Sequence, residues 1–298
     1  MFKGSFVALI TPFKNGQINE KKLVELVEWH LSEGTNGLVP VGTTGESATL
    51  SHEEHARVIE IVTKAARKRI PVIAGAGSNS TKEAIDLTGH AKEMGVDAVL
   101  SVNPYYNRPT QEGLKAHFSA IAESVNIPIV LYNIPSRTGV SLTPDTIADL
   151  ASNHKNIVGV KESTGIMDQT TEILEKTDGS FCVLSGDDSL TLPLMAIGAQ
   201  GVISVAANLV PKEIVELVQL VLHQKYEEAR ALHLKLFPLI KALFIETNPG
   251  PVKAAMFEAG LIEDDSLRLP MVSVTPEHRA AIKAAMRKFG VPGPTMTR

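Results

Sequence analysis

Eight short apolar segments, separated by amphipathic stretches, constrain the fold of this chain more than any other feature. Each segment is almost continuously apolar, which is typical of parallel strands that are covered on both faces. The stretches between them repeat apolar residues at helical spacing, and residues 20–34, for example, end at Gly34, a common helix stop. The predicted strands are residues 5–12, 37–42, 71–77, 98–104, 128–135, 157–163, 181–188 and 201–207.

The number of these units predicts the fold class. Eight strand and helix units within residues 1–225 favour an α/β fold, namely a (β/α)8 TIM barrel. The alternative is a doubly wound open sheet, which usually has fewer strands and leaves two edges. Residues 226–298 contain helical patterns with no strand between them. We therefore predict a catalytic barrel domain at 1–225 and a C-terminal helical domain at 226–298, part of which packs on the barrel or on another subunit.

Composition excludes several functional classes. The 298 residues carry a formal net charge of -4, with Lys and Arg scattered rather than clustered, so we expect no nucleic-acid partner. The sequence has no apolar run of about 18 residues and no leader-like N-terminus, which predicts no membrane association and a cytoplasmic location. Cys182 is the only cysteine, which excludes an intrachain disulfide and fits a reducing compartment.

Polar residues follow six of the predicted strands. In a barrel of this kind the chemistry lies at the carboxyl ends of the strands, so polar side chains there are candidates for the active site. They occur in GTTGES (42–47), NPYYNRP (103–109), YNIPSRTG (132–139), KEST (161–164), GDDS (186–189) and ISVAAN (203–208).

Lys161 is the most informative of these residues, because it ends the otherwise apolar strand IVGVKES (157–163). Burial disfavours the charged form of an amine, which frees it to attack a carbonyl and form a Schiff base. The alternative is a lysine that reaches out of the barrel mouth or pairs with Glu162. Tyr132 lies at the matching end of the preceding strand, where a phenol can transfer protons, although it is alternatively an interior tyrosine bonded to a backbone carbonyl.

Four other motifs have two interpretations each. The turn GTTGE (42–46) offers N–H groups and hydroxyls for a carboxylate or phosphate, or it simply caps a helix. HEEH (52–55) places its histidines three residues apart, which fits a solvated helix start better than a zinc site. GAGSNS (75–80) is a weak match to a dinucleotide fingerprint and is better explained as a strand end followed by a helix N-cap. GDDS (186–189) either binds a cation or caps a helix. We predict no metal and no organic cofactor.

Several motifs together resemble the dihydrodipicolinate synthase (4-hydroxy-tetrahydrodipicolinate synthase) family, over essentially the whole chain. A lysine on the sixth strand and YNIP on the fifth are shared with other pyruvate-dependent class I aldolases, such as N-acetylneuraminate lyase and 2-keto-3-deoxygluconate aldolase. The motifs GTTGE and PSRTG are more specific to the dihydrodipicolinate synthase family than the lysine and YNIP are. The motifs are GTTGESATL, NPYYNRPTQEG, LYNIPSRTG, VKEST, LSGDD, GVISVAAN and LRLPM.

The resemblance implies a lyase that joins pyruvate to Lys161 as an imine and condenses it with L-aspartate 4-semialdehyde, the first committed step of diaminopimelate and lysine biosynthesis. No cofactor is implied beyond this covalent pyruvate imine. Arg137 is expected to bind the semialdehyde carboxylate, a role that suits a guanidinium, although a surface-paired arginine is the alternative. The implied proton relay is Tyr132, Thr44 and Tyr106, and the implied pyruvate contacts are Thr43, Thr44, Gly186 and Ile203.

The resemblance also implies regulation and assembly. In lysine-inhibited members of the family an allosteric lysine-binding pocket lies at a dimer interface. The alternative is that the residues matching this pocket form an ordinary solvent-exposed helix surface. Tyr106 is expected to reach into a neighbouring subunit's site, so a homodimer or homotetramer is implied. A related pyruvate aldolase and a non-catalytic small-acid-binding barrel are the rival functions. The implied lysine-binding residues are Ser47, Ala48, His52, His55, Asn79, Glu83 and Tyr105.

Overall fold

The computed structural model describes residues 2–291, and its centre is one parallel eight-stranded sheet. The strands are β1 (Gly4–Ala8), β2 (Gly37–Val39), β3 (Ile73–Gly75), β4 (Ala98–Val102), β5 (Ile129–Asn133), β6 (Ile157–Glu162), β7 (Cys182–Ser185) and β8 (Gly201–Ser204). They lie in the order β2-β1-β8-β7-β6-β5-β4-β3, and a parallel bridge between Leu38 and Val72 brings the two ends of the sheet together. The predicted barrel is therefore confirmed.

Helices surround the sheet, and polar caps set where several of them begin. At α2 the Ser51 hydroxyl accepts from the Glu54 N–H while the Glu54 carboxylate accepts from the Ser51 N–H, so the two residues form a capping box. The barrel helices are α1 (Glu20–Ser32), α2 (His52–Ala66), α3 (Thr81–Glu93), α4 (Gln111–Ser124), α5 (Pro135–Thr138), α6 (Pro144–Asn153), α7 (Met167–Lys176), α8 (Thr191–Ala196) and α9 (Pro211–Leu222).

Three further helices follow the barrel: α10 (Tyr226–Leu243), α11 (Gly250–Glu258) and α12 (Pro276–Phe289). Residues 250–256 of α11 are all buried, so this helix packs against the rest of the chain along most of its length. The division into domains 1–225 and 226–298 stays a prediction, and residues 292–298 lie outside the described residues. Within residues 2–291, no helix combines the length and apolar character that crossing a membrane requires.

A register shift on β6 aligns two of the predicted site residues. Ile129 pairs with Ile157, but Val130 pairs with Gly159, so β6 carries one extra residue at this point. Further along the same pair of strands, Tyr132 lies opposite Lys161. The apolar barrel interior, which includes Phe6, Val39, Ile73, Leu184 and Ile203, also contains Tyr132.

Candidate active site

Lys161 lies in the barrel interior close to Tyr132. Its side chain is almost fully buried, and Nζ is 4.1 Å from the centroid of the Tyr132 ring. Among the described residues no ion pair joins Lys161 to Glu162. The Glu162 carboxylate instead accepts hydrogen bonds from the Thr164 N–H at 2.7 Å and from Asn133 Nδ2 at 3.1 Å. The alternative in which Lys161 pairs with Glu162 is therefore not the arrangement observed.

The Glu162 carboxylate belongs to a separate buried network beside the strands. Asn133 Nδ2 and Gln169 Nε2 both donate to Oε2, and burial raises the pKa of Glu162 despite these donors. Asn133 also accepts from the Leu142 N–H at 3.0 Å through Oδ1. This network fixes the segment that links α5 to α6, and α5 carries Arg137.

The GTTGE turn presents its two threonines in different directions. The Thr44 hydroxyl is buried and accepts a hydrogen bond from Asn248 Nδ2 at 2.9 Å. Thr43, by contrast, lines the same cavity as Tyr132. In the described part of the chain no hydrogen bond links Tyr132 to Thr44. Thr43 therefore lines the cavity together with Tyr132, whereas the hydroxyl of Thr44, the threonine that the sequence analysis assigned to the relay, is bonded to Asn248.

Gly186 lies directly against the stem of Lys161. A Cβ built on Gly186 would overlap Ser163 Oγ and would lie 3.0 Å from Lys161 Cε, so only glycine fits at this position. The Gly186 N–H donates to the Glu162 carbonyl at 2.7 Å. Ile203 is fully buried on β8, among the interior residues of the barrel. Ile203 therefore lies in the barrel interior, and Gly186 lies beside the candidate nucleophile.

Arg137 is exposed at the mouth of the barrel and lines the cavity. Its Nη2 donates to the backbone carbonyl of Asn248 at 3.0 Å, and the described residues place no carboxylate in an ion pair with it. Asn248 was not predicted from the sequence. Asn248 lies between α10 and α11 and bonds to both Thr44 and Arg137, so the segment after the barrel contributes to the candidate site.

Tyr106 does not join the site within one chain. Its side chain is 91% exposed, and its φ of 71° lies in the left-handed region. The preceding residue, Tyr105, is 40% exposed and lines the cavity. A single chain therefore contains Tyr132 and Thr43 at the cavity but leaves Tyr106 at the surface.

One cavity of about 430 Å³ is lined by Tyr132 and Arg137 and also by most of the predicted lysine-binding residues. His52 Nε2 lies 3.0 Å from Glu83 Oε1, and the Ser78 hydroxyl donates to the other Glu83 oxygen, which lowers the pKa of Glu83. Burial lowers the pKa of His55 to about 4. Asn79 does not line this cavity, and its carbonyl accepts from Asn107. The predicted residues that do line it are Ser47, Ala48, His52, His55, Glu83 and Tyr105.

The carboxylates of both aspartates in GDDS accept hydrogen bonds from other groups of the protein. Asp187 Oδ1 accepts from the Ser189 N–H at 2.8 Å, which is the helix-capping interpretation of this motif. Asp188 is fully buried and accepts from the Val205 N–H at 2.9 Å and from the Ser204 hydroxyl. Burial raises the pKa of Asp188 to about 6. In residues 2–291, no group of three or more His, Cys, Asp or Glu side chains is placed to hold a metal ion.

Comparison with known proteins identifies similar sequences over nearly the full length. The model of the dihydrodipicolinate synthetase family matches residues 1–289. A 4-hydroxy-tetrahydrodipicolinate synthase of Syntrophus aciditrophicus is 56% identical, with 98% of this chain and 100% of that protein covered. The enzyme of the same name from Geotalea uraniireducens is 53% identical, over 98% of this chain and 100% of the relative.

Solved structures agree with these sequence matches. Dihydrodipicolinate synthase from Aquifex aeolicus is 51% identical, with a TM-score of 0.96 and coverage of 98% of this chain and 99% of that one. The chloride-inhibited enzyme from Acinetobacter baumannii, complexed with pyruvate, is 47% identical, with a TM-score of 0.95 and coverage of 98% and 100%. The enzyme from Cyanidioschyzon merolae with lysine bound is 39% identical, with a TM-score of 0.95 and coverage of 97% and 99%.

Proposed function

Because this chain belongs to the dihydrodipicolinate synthetase family, we propose that it acts as a 4-hydroxy-tetrahydrodipicolinate synthase. The reaction is the condensation of pyruvate with L-aspartate 4-semialdehyde, which makes the enzyme a lyase of diaminopimelate and lysine biosynthesis. The observation that carries the proposal is the buried amine of Lys161, whose Nζ lies 4.1 Å from the ring centroid of Tyr132, a residue that lines the cavity. The full-length relatives favour this reaction over that of another pyruvate aldolase.

The proposed chemistry begins at Lys161 Nζ. The amine attacks the ketone carbon of pyruvate, water leaves, and the resulting iminium loses a methyl proton to give an enamine. The enamine carbon attacks the aldehyde carbon of the semialdehyde, and the new alkoxide takes a proton. The amine of the semialdehyde then attacks the iminium carbon, closes the ring and releases Lys161. The iminium accepts the electron pair in this scheme, so the proposal includes neither a metal nor an organic cofactor.

Proton transfer and pyruvate binding are assigned to residues around the amine. Tyr132 is the phenol nearest to Nζ, so it is the proposed proton donor and acceptor for the carbinolamine. The proposed carboxylate site uses the hydroxyls and N–H groups of Thr43 and Thr44, with Gly186 and Ile203 beside it. The cavity position of Thr43 supports this residue, rather than Thr44, as the hydroxyl next to Tyr132 in the relay.

The proposed acceptor site uses Arg137. The guanidinium stands at the cavity mouth, and one of its N–H groups is held by the Asn248 carbonyl at 3.0 Å. The planar fork of an arginine can bind a carboxylate through two parallel hydrogen bonds. An acceptor with a carboxylate is therefore favoured over a neutral sugar chain.

The proposal includes a second subunit and regulation by lysine. An exposed Tyr106 completes the relay only if it enters the site of a neighbouring copy, which supports a homodimer or a homotetramer. The pair of His52 and Glu83 offers a carboxylate to an amino group, in a cavity that also contains Tyr105. We expect lysine to bind there as a feedback inhibitor, and we expect the enzyme to work in the cytoplasm.

An acceptor comparison tests the proposed reaction. The purified protein would be supplied with pyruvate and either L-aspartate 4-semialdehyde or a neutral sugar aldehyde, and pyruvate consumption would be measured. We expect turnover with the semialdehyde alone. Turnover with the sugar and none with the semialdehyde would favour a sugar-acid aldolase instead.

A further inference from the structure

Ser163 has a buried hydroxyl without a partner. Its Oγ makes no hydrogen bond with any described residue, although its N–H donates to the Asn133 carbonyl at 2.9 Å. Buried polar groups are nearly always hydrogen-bonded, and one left unpaired costs about 1–3 kcal/mol. Such a group therefore requires a physical explanation.

The position of this hydroxyl is next to the candidate nucleophile. Ser163 directly follows the last residue of β6 and lies two residues after Lys161. Ser163 and Lys161 both lie against Gly186, because a Cβ built on this glycine would overlap Ser163 Oγ and would lie 3.0 Å from Lys161 Cε. The unpaired hydroxyl and the stem of the amine thus lie against the same glycine.

We propose that Ser163 is a further substrate-contacting residue, whose hydroxyl donates a hydrogen bond to an oxygen of the keto acid attached to Lys161. This inference rests on the proposed imine chemistry. A keto acid offers carboxylate and carbonyl oxygens, which are acceptors, and a serine hydroxyl with no other partner is free to donate to them. The bound substrate then supplies the partner that the protein itself does not.

The matched comparison uses Ser5, whose hydroxyl is also buried and unpaired but belongs to β1, near its amino-terminal end. Ser163→Ala and Ser5→Ala remove the same group, so they differ in position alone. Neither change breaks a side-chain hydrogen bond within the protein, and we expect both variants to fold with an unchanged or slightly raised Tm.

The experiment measures how much pyruvate is needed to saturate covalent trapping. Each protein is mixed with pyruvate over a range of concentrations, treated with borohydride and analysed by mass spectrometry. We expect the half-saturating pyruvate concentration to rise roughly ten- to a hundredfold for Ser163→Ala, the loss of one hydrogen bond to a charged group. We expect no change for Ser5→Ala.

The outcomes separate this inference from the proposed function. If Ser163→Ala traps pyruvate like the unchanged protein, the inference is overturned while the imine chemistry stands. If the unchanged protein gains no adduct, the proposed function itself is wrong. A Tm that falls by several degrees in Ser163→Ala would assign the hydroxyl a structural role and would also overturn the inference.

Discussion

The ion pair of Lys253 and Glu46 joins the C-terminal helices to the turn that carries Thr43 and Thr44. Lys253 Nζ lies 2.8 Å from Glu46 Oε1, and the two side chains are 0% and 3% exposed. Nζ also donates to the Ser266 carbonyl at 2.7 Å. Burial lowers the pKa of Lys253, and the Glu46 carboxylate opposes that shift.

Replacing Lys253 with Met should be strongly destabilising. The substitution leaves the Glu46 carboxylate buried without the lysine. The Arg268 N–H, at 3.1 Å from Oε2, still donates to it. Removing one partner of a buried pair costs about 3–5 kcal/mol. At about 2 °C for each kcal/mol in a chain of this size, we expect the Tm to fall by roughly 6–10 °C. Differential scanning fluorimetry measures this shift.

Two variants make the result interpretable. Lys14 pairs with Glu263 on the surface at 2.8 Å, so Lys14→Met removes the same charge at an exposed site and should lower the Tm by about 2 °C or less. Adding Glu46→Gln to Lys253→Met removes the uncompensated charge, so the double variant should be more stable than Lys253→Met alone. The reasoning would be refuted if Lys253→Met and Lys14→Met shifted the Tm equally.

Three further predictions concern the mouth of the barrel and its surroundings. Arg137→Ala should raise the KM for the semialdehyde about ten- to a hundredfold in steady-state assays, while trapping of pyruvate on Lys161 is unchanged; an unchanged KM would remove Arg137 from the acceptor site. The hydrogen bond from Arg268 lowers the pKa of Glu54 from 4.5 to about 2. The pair therefore stabilises the fold above pH 4.5, and this contribution is lost as the pH falls toward 2, so Glu54→Gln should lower the Tm more at pH 7 than at pH 3. An equal shift at both values would contradict this linkage. Glu83→Ala should raise the lysine concentration for half-inhibition about tenfold with the uninhibited rate preserved, and an unaltered inhibition curve would exclude Glu83 from the lysine site.

The barrel could be predicted from the sequence because its signal is local. Parallel strands covered on both faces are continuously apolar, and the intervening helices carry their own caps, such as Ser80 before α3. Lys161 and Tyr132 could be selected as candidates for the same reason, because polar residues at the carboxyl ends of such strands are where the active site of a barrel is expected. The two-residue hairpin strands Phe13–Lys14 and Gln17–Ile18 are too short to give a pattern.

The parts of the site that the sequence did not reveal depend on contacts between distant segments. Asn248 meets Thr44 across 204 residues of chain, and Lys253 meets Glu46 across 207. The orientation of Thr43 and Thr44 depends on a turn in which Val41 and Glu46 both have positive φ. Neither residue type favours that conformation, so no local signal indicated which hydroxyl would face the cavity.

The central claim is that Lys161 forms an imine with pyruvate, and reductive trapping tests it most directly. The protein would be incubated with pyruvate, reduced with borohydride, digested and mapped by mass spectrometry. The account predicts one reduced pyruvate adduct on Lys161, which is absent without pyruvate. An adduct on another lysine, or none while pyruvate is being consumed with the semialdehyde, would contradict it.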